Sequence, residues 1–222
     1  MGRPTPFFYL MSSDKLDMTG LLLAGGKSRR MGWDKRFLEL AGRTLLERTL
    51  SVLESVFAEV IVVVAEPAAQ LAGLRHRIVT DLVPDCATLG GLYTGLTSAA
   101  HRRSFAAASD MPFLNPALIK MMAELDREAD VVMARLTSGL QPLHAVYSKA
   151  CLPHLDHMLK TGNLKVQDLS QAPGLSVRLV AEQELKEADP QFLSFLNINT
   201  AADLEFARKL LAGQRATRGT GA

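Results

Sequence analysis

Short apolar runs alternate along this chain with stretches whose apolar residues recur at helical spacing, and that alternation restricts the fold more than any other feature. Residues 20–24 (GLLLA) and 60–65 (VIVVVA) are apolar at every or nearly every position. A strand can be apolar on both faces only where both are covered, as in a parallel sheet between helices. Between these runs, Leu45, Leu46, Leu50, Leu53 and Phe57 fall at helical period within 44–58. The same reading predicts strands over 76–80, 104–109, 130–134, 143–148, 175–180 and 192–197. It predicts helices over 67–74, 90–100, 115–125, 149–160, 163–170 and 200–211. Asn115 stands as an N-cap with Pro116 in the first helical position, and Thr200 caps the last helix with Asp203 three residues on. Strands alternating with helices build βαβ units. The fold class is therefore α/β: a Rossmann-like three-layer α/β/α sandwich with a mainly parallel sheet.

With 222 residues, 48% of them hydrophobic, the chain supports one large domain. We place it over 18–211. Residues 1–17 read as a disordered extension, a tag remnant or an early start, and the Gly/Thr/Arg-rich 212–222 as a fraying tail. A formal charge of +2 is too small for a nucleic-acid partner. Two distant cysteines, Cys86 and Cys151, give neither a disulfide framework nor a zinc knuckle. No apolar run reaches the roughly 18 residues of a membrane span, and 6–11 is too short for a signal core. These readings exclude a membrane and point to the cytoplasm.

In open sheets of this class, ligands sit at the carboxyl ends of the strands. Residues 21–35 read LLLAGGKSRRMGWDK, an apolar strand running into Gly25-Gly26 and then Lys27, Arg29, Arg30, Lys35 and Arg36, with only Asp34 against them. Glycines admit a close backbone approach, and cations neutralise an anion. The stretch reads as a polyphosphate pocket or, more blandly, as a turn and a solvated basic helix end. It is not a P-loop, because Leu21 stands where that motif needs its first glycine. Nor is it a dinucleotide fingerprint, because Lys27 and Arg30 occupy glycine positions. Asp110 ends an apolar strand and suits Mg²⁺ beside a phosphate loop, or caps a turn. Asp81 is a partner for a base or ribose, or turn chemistry before Pro84. Gly90-Gly91 opens a helix and binds an anion or simply packs. Asn197 and Asn199 end the last strand near a metal and substrate, or only cap the last helix. His154 and His157, three apart on a helix, lack a third ligand and read as a solvated face, while His144 faces substrate or packs.

Leu23 to Lys35, LAGGKSRRMGWDK, resembles the signature loop of the molybdenum cofactor guanylyltransferases. The resemblance extends from Thr19 to Leu211 through Asp81, Leu89-Gly90-Gly91-Leu92, Ser109-Asp110-Met111-Pro112, Gln141-Pro142-Leu143-His144-Ala145 and Asn197-Ile198-Asn199-Thr200. It implies a nucleotidyltransferase that moves GMP from GTP to the terminal phosphate of molybdopterin and releases pyrophosphate. It further implies that Leu23, Ala24, Gly25 and Gly26 hold the nucleotide, and that Arg30 and Lys35 contact the triphosphate and are catalytic. Asp81, Gly90 and Gly91 help hold the guanosine, Asp110 is catalytic and binds the cofactor Mg²⁺, and Asn197 and Asn199 lie on the pterin side. Transient contact with molybdenum-insertion proteins or molybdoenzyme chaperones goes with such a role. Two departures stand out. Ala87-Thr88 fill places where the family often has Gly-Pro, and Val64-Ala65-Glu66 fills a strand end that often carries a polar residue. A cytidylyltransferase acting on the same pterin is the near alternative, but its loop reads Ala-Ala-Gly where this one reads Ala24-Gly25-Gly26. A sugar-phosphate nucleotidyltransferase usually has a longer chain. A regulatory nucleotide-binding relative without activity is expected to lack Lys35 or Asp110, and both are present.

Overall fold

The computed structural model describes residues 15–25 and 34–219, with side chains as far as 213. Strand β1 (Leu16–Leu23) leads to a small hairpin, β2 (Glu39–Leu40) and β3 (Arg43–Thr44). Helix α1 (Leu45–Val56), β4 (Phe57–Val64), β5 (Arg77–Thr80), α2 (Ala87–Ser98) and β6 (Arg103–Ala108) complete the first half. Then come α3 (Pro116–Leu125), β7 (Val131–Leu136), β8 (Gly139–Ser148), α4 (Leu152–Thr161), β9 (Val177–Ala181), α5 (Glu182–Ala188) and α6 (Ala201–Gly219).

Seven strands form one sheet in the order β5-β4-β1-β6-β8-β7-β9. Only β8 runs against its neighbours β6 and β7; the remaining pairings are parallel. Leu22, Val62, Val64, Phe105 and Ala107 face one side, where Leu46, Leu50 and Leu53 of α1, Leu118 and Ile119 of α3 and Leu185 of α5 cover them. Leu21, Leu23, Ile61, Val63 and Ala106 face the other, against Leu89, Leu92 and Leu96 of α2 and Leu155 of α4. Alternate residues of each strand thus feed two cores, which is why these runs are apolar throughout. The expected three-layer sandwich is the fold observed.

Local chemistry fixes the element ends. Thr44 Oγ1 accepts from Glu47 N at 3.1 Å while Glu47 Oε2 accepts from Thr44 N at 2.8 Å, a capping box at the start of α1. Asn115 caps α3 as expected, accepting from Ala117 N at 2.9 Å. Thr200 Oγ1 accepts from Asp203 N at 3.1 Å, and Asp203 accepts from Thr200 N in return. Among the described residues, no helix is long and apolar enough to cross a membrane.

Several expectations need correction. The helix expected over 67–74 shrinks to a 3₁₀ turn, Ala69–Leu71, because Ala68 offers no side-chain cap. The helix expected over 163–170 is a 3₁₀ segment, Val166–Gln171. The strand expected over 192–197 is a 3₁₀ turn, Leu193–Phe195, closed by the Asp189 carboxylate accepting from Ser194 N at 2.8 Å. Helix α5 and the β2–β3 hairpin are further elements that the apolar pattern does not announce. The first strand begins at Leu16, inside the expected extension, and α6 continues past Leu211 to Gly219. On its β7 side β8 is bulged: Met133 pairs with Ala145 but Ala134 pairs with Gln141, so residues 142–144 leave that ladder. Tyr147 Oη donates to the bulge carbonyl of Pro142 at 2.8 Å.

Candidate functional site

From β1 the chain builds outward through β4 to β5, and it then returns to place β6 on the other side of β1. That reversal opens a crevice at the carboxyl ends of β1 and β6, where open α/β sheets bind ligands. A cleft of about 220 Å³ lies there. Leu23, Ala24 and Gly25 at the end of β1, Asp81 after β5, Gly91 on α2, Asp110 after β6, Asn197 and Lys35 all line it.

Backbone bonds past the strand ends build the floor. Ala24 N donates to Val63 O at 2.8 Å and Ser109 N to Leu23 O at 3.3 Å. A β-carbon on Gly25 would sit 3.0 Å from Ala65 N, so a side chain there has almost no room. Asp110 follows directly. Its carbonyl accepts from Ile198 N at 2.9 Å, which sets the 197–199 segment beside it. Lys35 Nζ donates to Asn199 Oδ1 at 3.2 Å. Asn199 is held in turn by Asp203, which accepts from its backbone N at 2.8 Å. Three distant segments therefore meet at one end of the cleft. Burial raises the Asp110 carboxyl above its ordinary range, and the nearby Lys35 ammonium only partly opposes that.

The other end is built on Asp81. Its amide continues the ladder to Val64 O at 2.8 Å. Its Oδ1 accepts from Val83 N at 3.1 Å and from Thr94 Oγ1 at 2.8 Å. The glycine pair is not at the helix start, because α2 begins at Ala87. Gly91 faces the cleft over Leu23, whereas Gly90 packs beneath the 81–86 loop, where a β-carbon would meet Val83 O at 2.7 Å. Gly26 and Arg30 lie outside the described residues, as do Lys27 and Arg29.

Residues 20–176 match the MobA-like NTP transferase domain family. A probable molybdenum cofactor guanylyltransferase of Pelotomaculum thermopropionicum is 38% identical, with 91% of this chain and 98% of the relative aligned. A molybdenum cofactor guanylyltransferase of Desulfosudis oleivorans is 36% identical over 89% and 98%. The chain belongs to the molybdenum cofactor guanylyltransferases, within the MobA-like NTP transferases. The same fold is seen in molybdopterin-guanine dinucleotide biosynthesis protein A of Archaeoglobus fulgidus, with a TM-score of 0.77 at 24% identity over 88% of this chain and 100% of that one.

In this guanylyltransferase the departure at Ala87-Thr88 has a backbone consequence. Ala87 sits at φ +48° and Asp85 at φ +65°, so an alanine holds a left-handed conformation where the family often has glycine. The donor set at Asp110 is hard oxygen: one half-buried carboxylate with the Asn197 amide lining the same cleft. Among the described residues no cluster of three or more His, Cys, Asp or Glu side chains could cage a metal ion. Such a sparse set fits Mg²⁺, which keeps water and substrate phosphates as its remaining ligands.

Arg36 went unassigned in the sequence, yet it lines the cleft and donates from Nη1 to Ala24 O at 3.0 Å. Its Nε and Nη2 hold the Asp34 carboxylate at 2.9 and 2.6 Å. The one available signal was its place in the cation run after Lys35. His144 is fully buried, with its ring 5.1 Å from that of Phe105 and 4.5 Å from that of Phe195. It packs and does not face the cleft. His154 and His157 lie on α4, where neighbouring Asp156 pairs with Lys160 at 2.6 Å, and neither lines the cleft.

Proposed function

We propose that this protein transfers GMP from GTP to the terminal phosphate of molybdopterin, forming the guanine dinucleotide and releasing pyrophosphate. The observation that carries the reading is the convergence of Lys35, Asp110 and the 197–199 segment at the cleft end opposite Asp81. That separation gives the nucleoside and the reacting phosphates different ends of one crevice. Leu23, Ala24, Gly25 and Gly91 form the wall between them. Gly26 is assigned to the nucleotide and Arg30 to the triphosphate on the family resemblance of their loop sequence.

A phosphate oxygen of the pterin attacks the α-phosphorus of GTP in line. The new P–O bond forms as the bond from the α-phosphorus to the bridging oxygen breaks, and pyrophosphate departs. No general base is needed, because a phosphate monoester with a second pKa of about 6 is already largely dianionic at neutral pH. The obstacle is anion meeting anion, so catalysis consists of positioning and charge neutralisation. Lys35, steered by Asn199, stabilises charge on the departing group. Asp110, with Asn197 beside it, would hold Mg²⁺, which supplies charge neutralisation on the phosphates. Asn197 and Asn199 border the acceptor phosphate. The two cysteines among the described residues are unpaired, which supports a reducing cytoplasmic setting. Receipt of the pterin and onward passage of the product go with transient contacts to molybdenum-insertion proteins or molybdoenzyme chaperones.

The test is to incubate the protein with Mg²⁺, molybdopterin and each nucleoside triphosphate in turn, and to measure pyrophosphate. Release with GTP alone is expected. A preference for CTP would make the protein a cytidylyltransferase, and release dependent on a sugar phosphate would overturn the pterin assignment.

A further inference from the structure

Asp81 is held in an unusual way for a residue at a strand end. Thr94 stands on α2, thirteen residues on, and its side chain is wholly buried. Its Oγ1 accepts from Leu82 N at 2.9 Å. The same Oγ1 lies 2.8 Å from Asp81 Oδ1, and a carboxylate oxygen only accepts, so the single hydroxyl proton is committed to Asp81. A helical threonine ordinarily turns its hydroxyl back to the carbonyl four residues earlier. Thr49 of this chain does so, reaching Leu45 O at 3.1 Å. Thr94 instead spends its hydroxyl on the loop after β5. Its helix cannot drift, because Gly95 lies against the sheet so closely that a β-carbon would fall 2.9 Å from Leu21 Cδ1.

The result is a carboxylate with two unequal oxygens. Oδ1 takes Thr94 and Val83. Oδ2 rests over Gly90, where a β-carbon would come within 3.0 Å of it. We propose that Thr94 is a positioning residue for base selection: by engaging Oδ1 it fixes the plane of the Asp81 carboxylate, leaving Oδ2 to receive the donor edge of the purine. The proposal rests on the guanylyl-transfer reading above. Guanine presents N1–H and a 2-amino group side by side, two donors that can converge on one carboxylate oxygen. Hypoxanthine lacks the amino group, and cytosine presents an acceptor in place of N1–H.

The experiment compares GTP with ITP as substrates for the whole protein carrying Thr94→Val, Thr94→Ser or Asp81→Asn. The valine side chain keeps the shape of threonine without its hydroxyl, and serine keeps the hydroxyl. We expect Thr94→Val to raise KM for GTP about tenfold with kcat little changed, and to bring the GTP/ITP ratio of kcat/KM toward one. Thr94→Ser should preserve that ratio, and Asp81→Asn should abolish it. In the double variant Thr94→Val with Asp81→Asn, the loss should not exceed that of Asp81→Asn alone. If the valine protein does not fold, Thr94→Ala, which leaves space at the same site, asks the same question. An equal loss for GTP and ITP would show a merely structural threonine and overturn the proposal. So would a ratio preserved in Thr94→Val but lost in Asp81→Asn, with the guanylyl reading left standing. A wild-type preference for CTP overturns the reading itself, and this inference with it.

Discussion

At the scale of single residues, two positions carry energies that contact lists hide. His144 is buried between Phe105 and Phe195, and neither ring nitrogen has a hydrogen-bond partner. Burial lowers its pKa from 6.5 to about 3. Between those values the unfolded chain binds a proton that the folded chain refuses, so stability falls as pH drops through 6.5 toward 3. From pH 7.5 to 5.5 this one group should remove about 1.4 kcal/mol. His144→Met keeps the bulk and abolishes the titration, so its urea midpoint should fall less over that interval than the wild type's. Ala87 is the second position. An L-residue with a β-carbon at φ +48° is strained by about 1 kcal/mol. Ala87→Gly should relieve it, raising the urea midpoint with an unchanged slope and Tm by roughly 2–4 °C. A drop in Tm would mean that the left-handed turn is not strained in solution.

At the scale of elements, legibility followed chemistry that is local in sequence. The β1 and β4 runs, the apolar period of α1 and Asn115 before α3 are readable because each carries its reason within a few residues. The β2–β3 hairpin is not, because its turn is Ala41-Gly42, both at positive φ, without the usual Asn-Gly signal. Helix α5, EQELKEA, buries only Leu185 and shows too little periodicity to announce itself. The 192–197 run looked like a strand because Phe192, Phe195 and Leu196 are apolar, but Asp189 draws the chain into a turn. In the site, Gly25, Lys35, Asp81 and Asp110 fell at strand ends or in the signature loop. Arg36 and Thr94 gain their meaning from contacts twelve and thirteen residues away, which sequence does not display. Arg36 yields a prediction at this scale. Its fork joins Ala24, at the end of β1, to Asp34, beside Lys35, and thereby sets the Lys35 turn against the strand. Arg36→Met should lower kcat about tenfold, with a smaller effect on Tm. Arg36→Lys should not restore it, because a single ammonium cannot serve a carboxylate and a carbonyl with the same geometry. Full rescue by lysine would reduce the tether to simple charge.

For the whole molecule, the cleft lies where two halves of the sheet part, and the fold accepts a half-buried carboxylate there that its own packing does not need. Asp110 is half-buried, and Lys35 only partly compensates the desolvation of its charge. A carboxyl whose folded pKa is raised costs stability as pH climbs above its ordinary 3.8. Removing the charge should therefore stabilise the ligand-free protein while disabling it, as functional sites often trade one for the other. Asp110→Asn should raise the Tm of the ligand-free protein slightly. Turnover with GTP, Mg²⁺ and molybdopterin should be nearly abolished. Ligands reverse the ranking. A ligand that binds only the folded state at a hundred times its Kd adds about 2.7 kcal/mol. GTP with Mg²⁺ should raise the wild-type Tm well above that of the variant, and GTP with a chelator should not. A variant that gained no stability when ligand-free would mean that Asp110 does not strain the fold, and one that kept the full Mg²⁺-dependent shift would mean that it does not hold the ion.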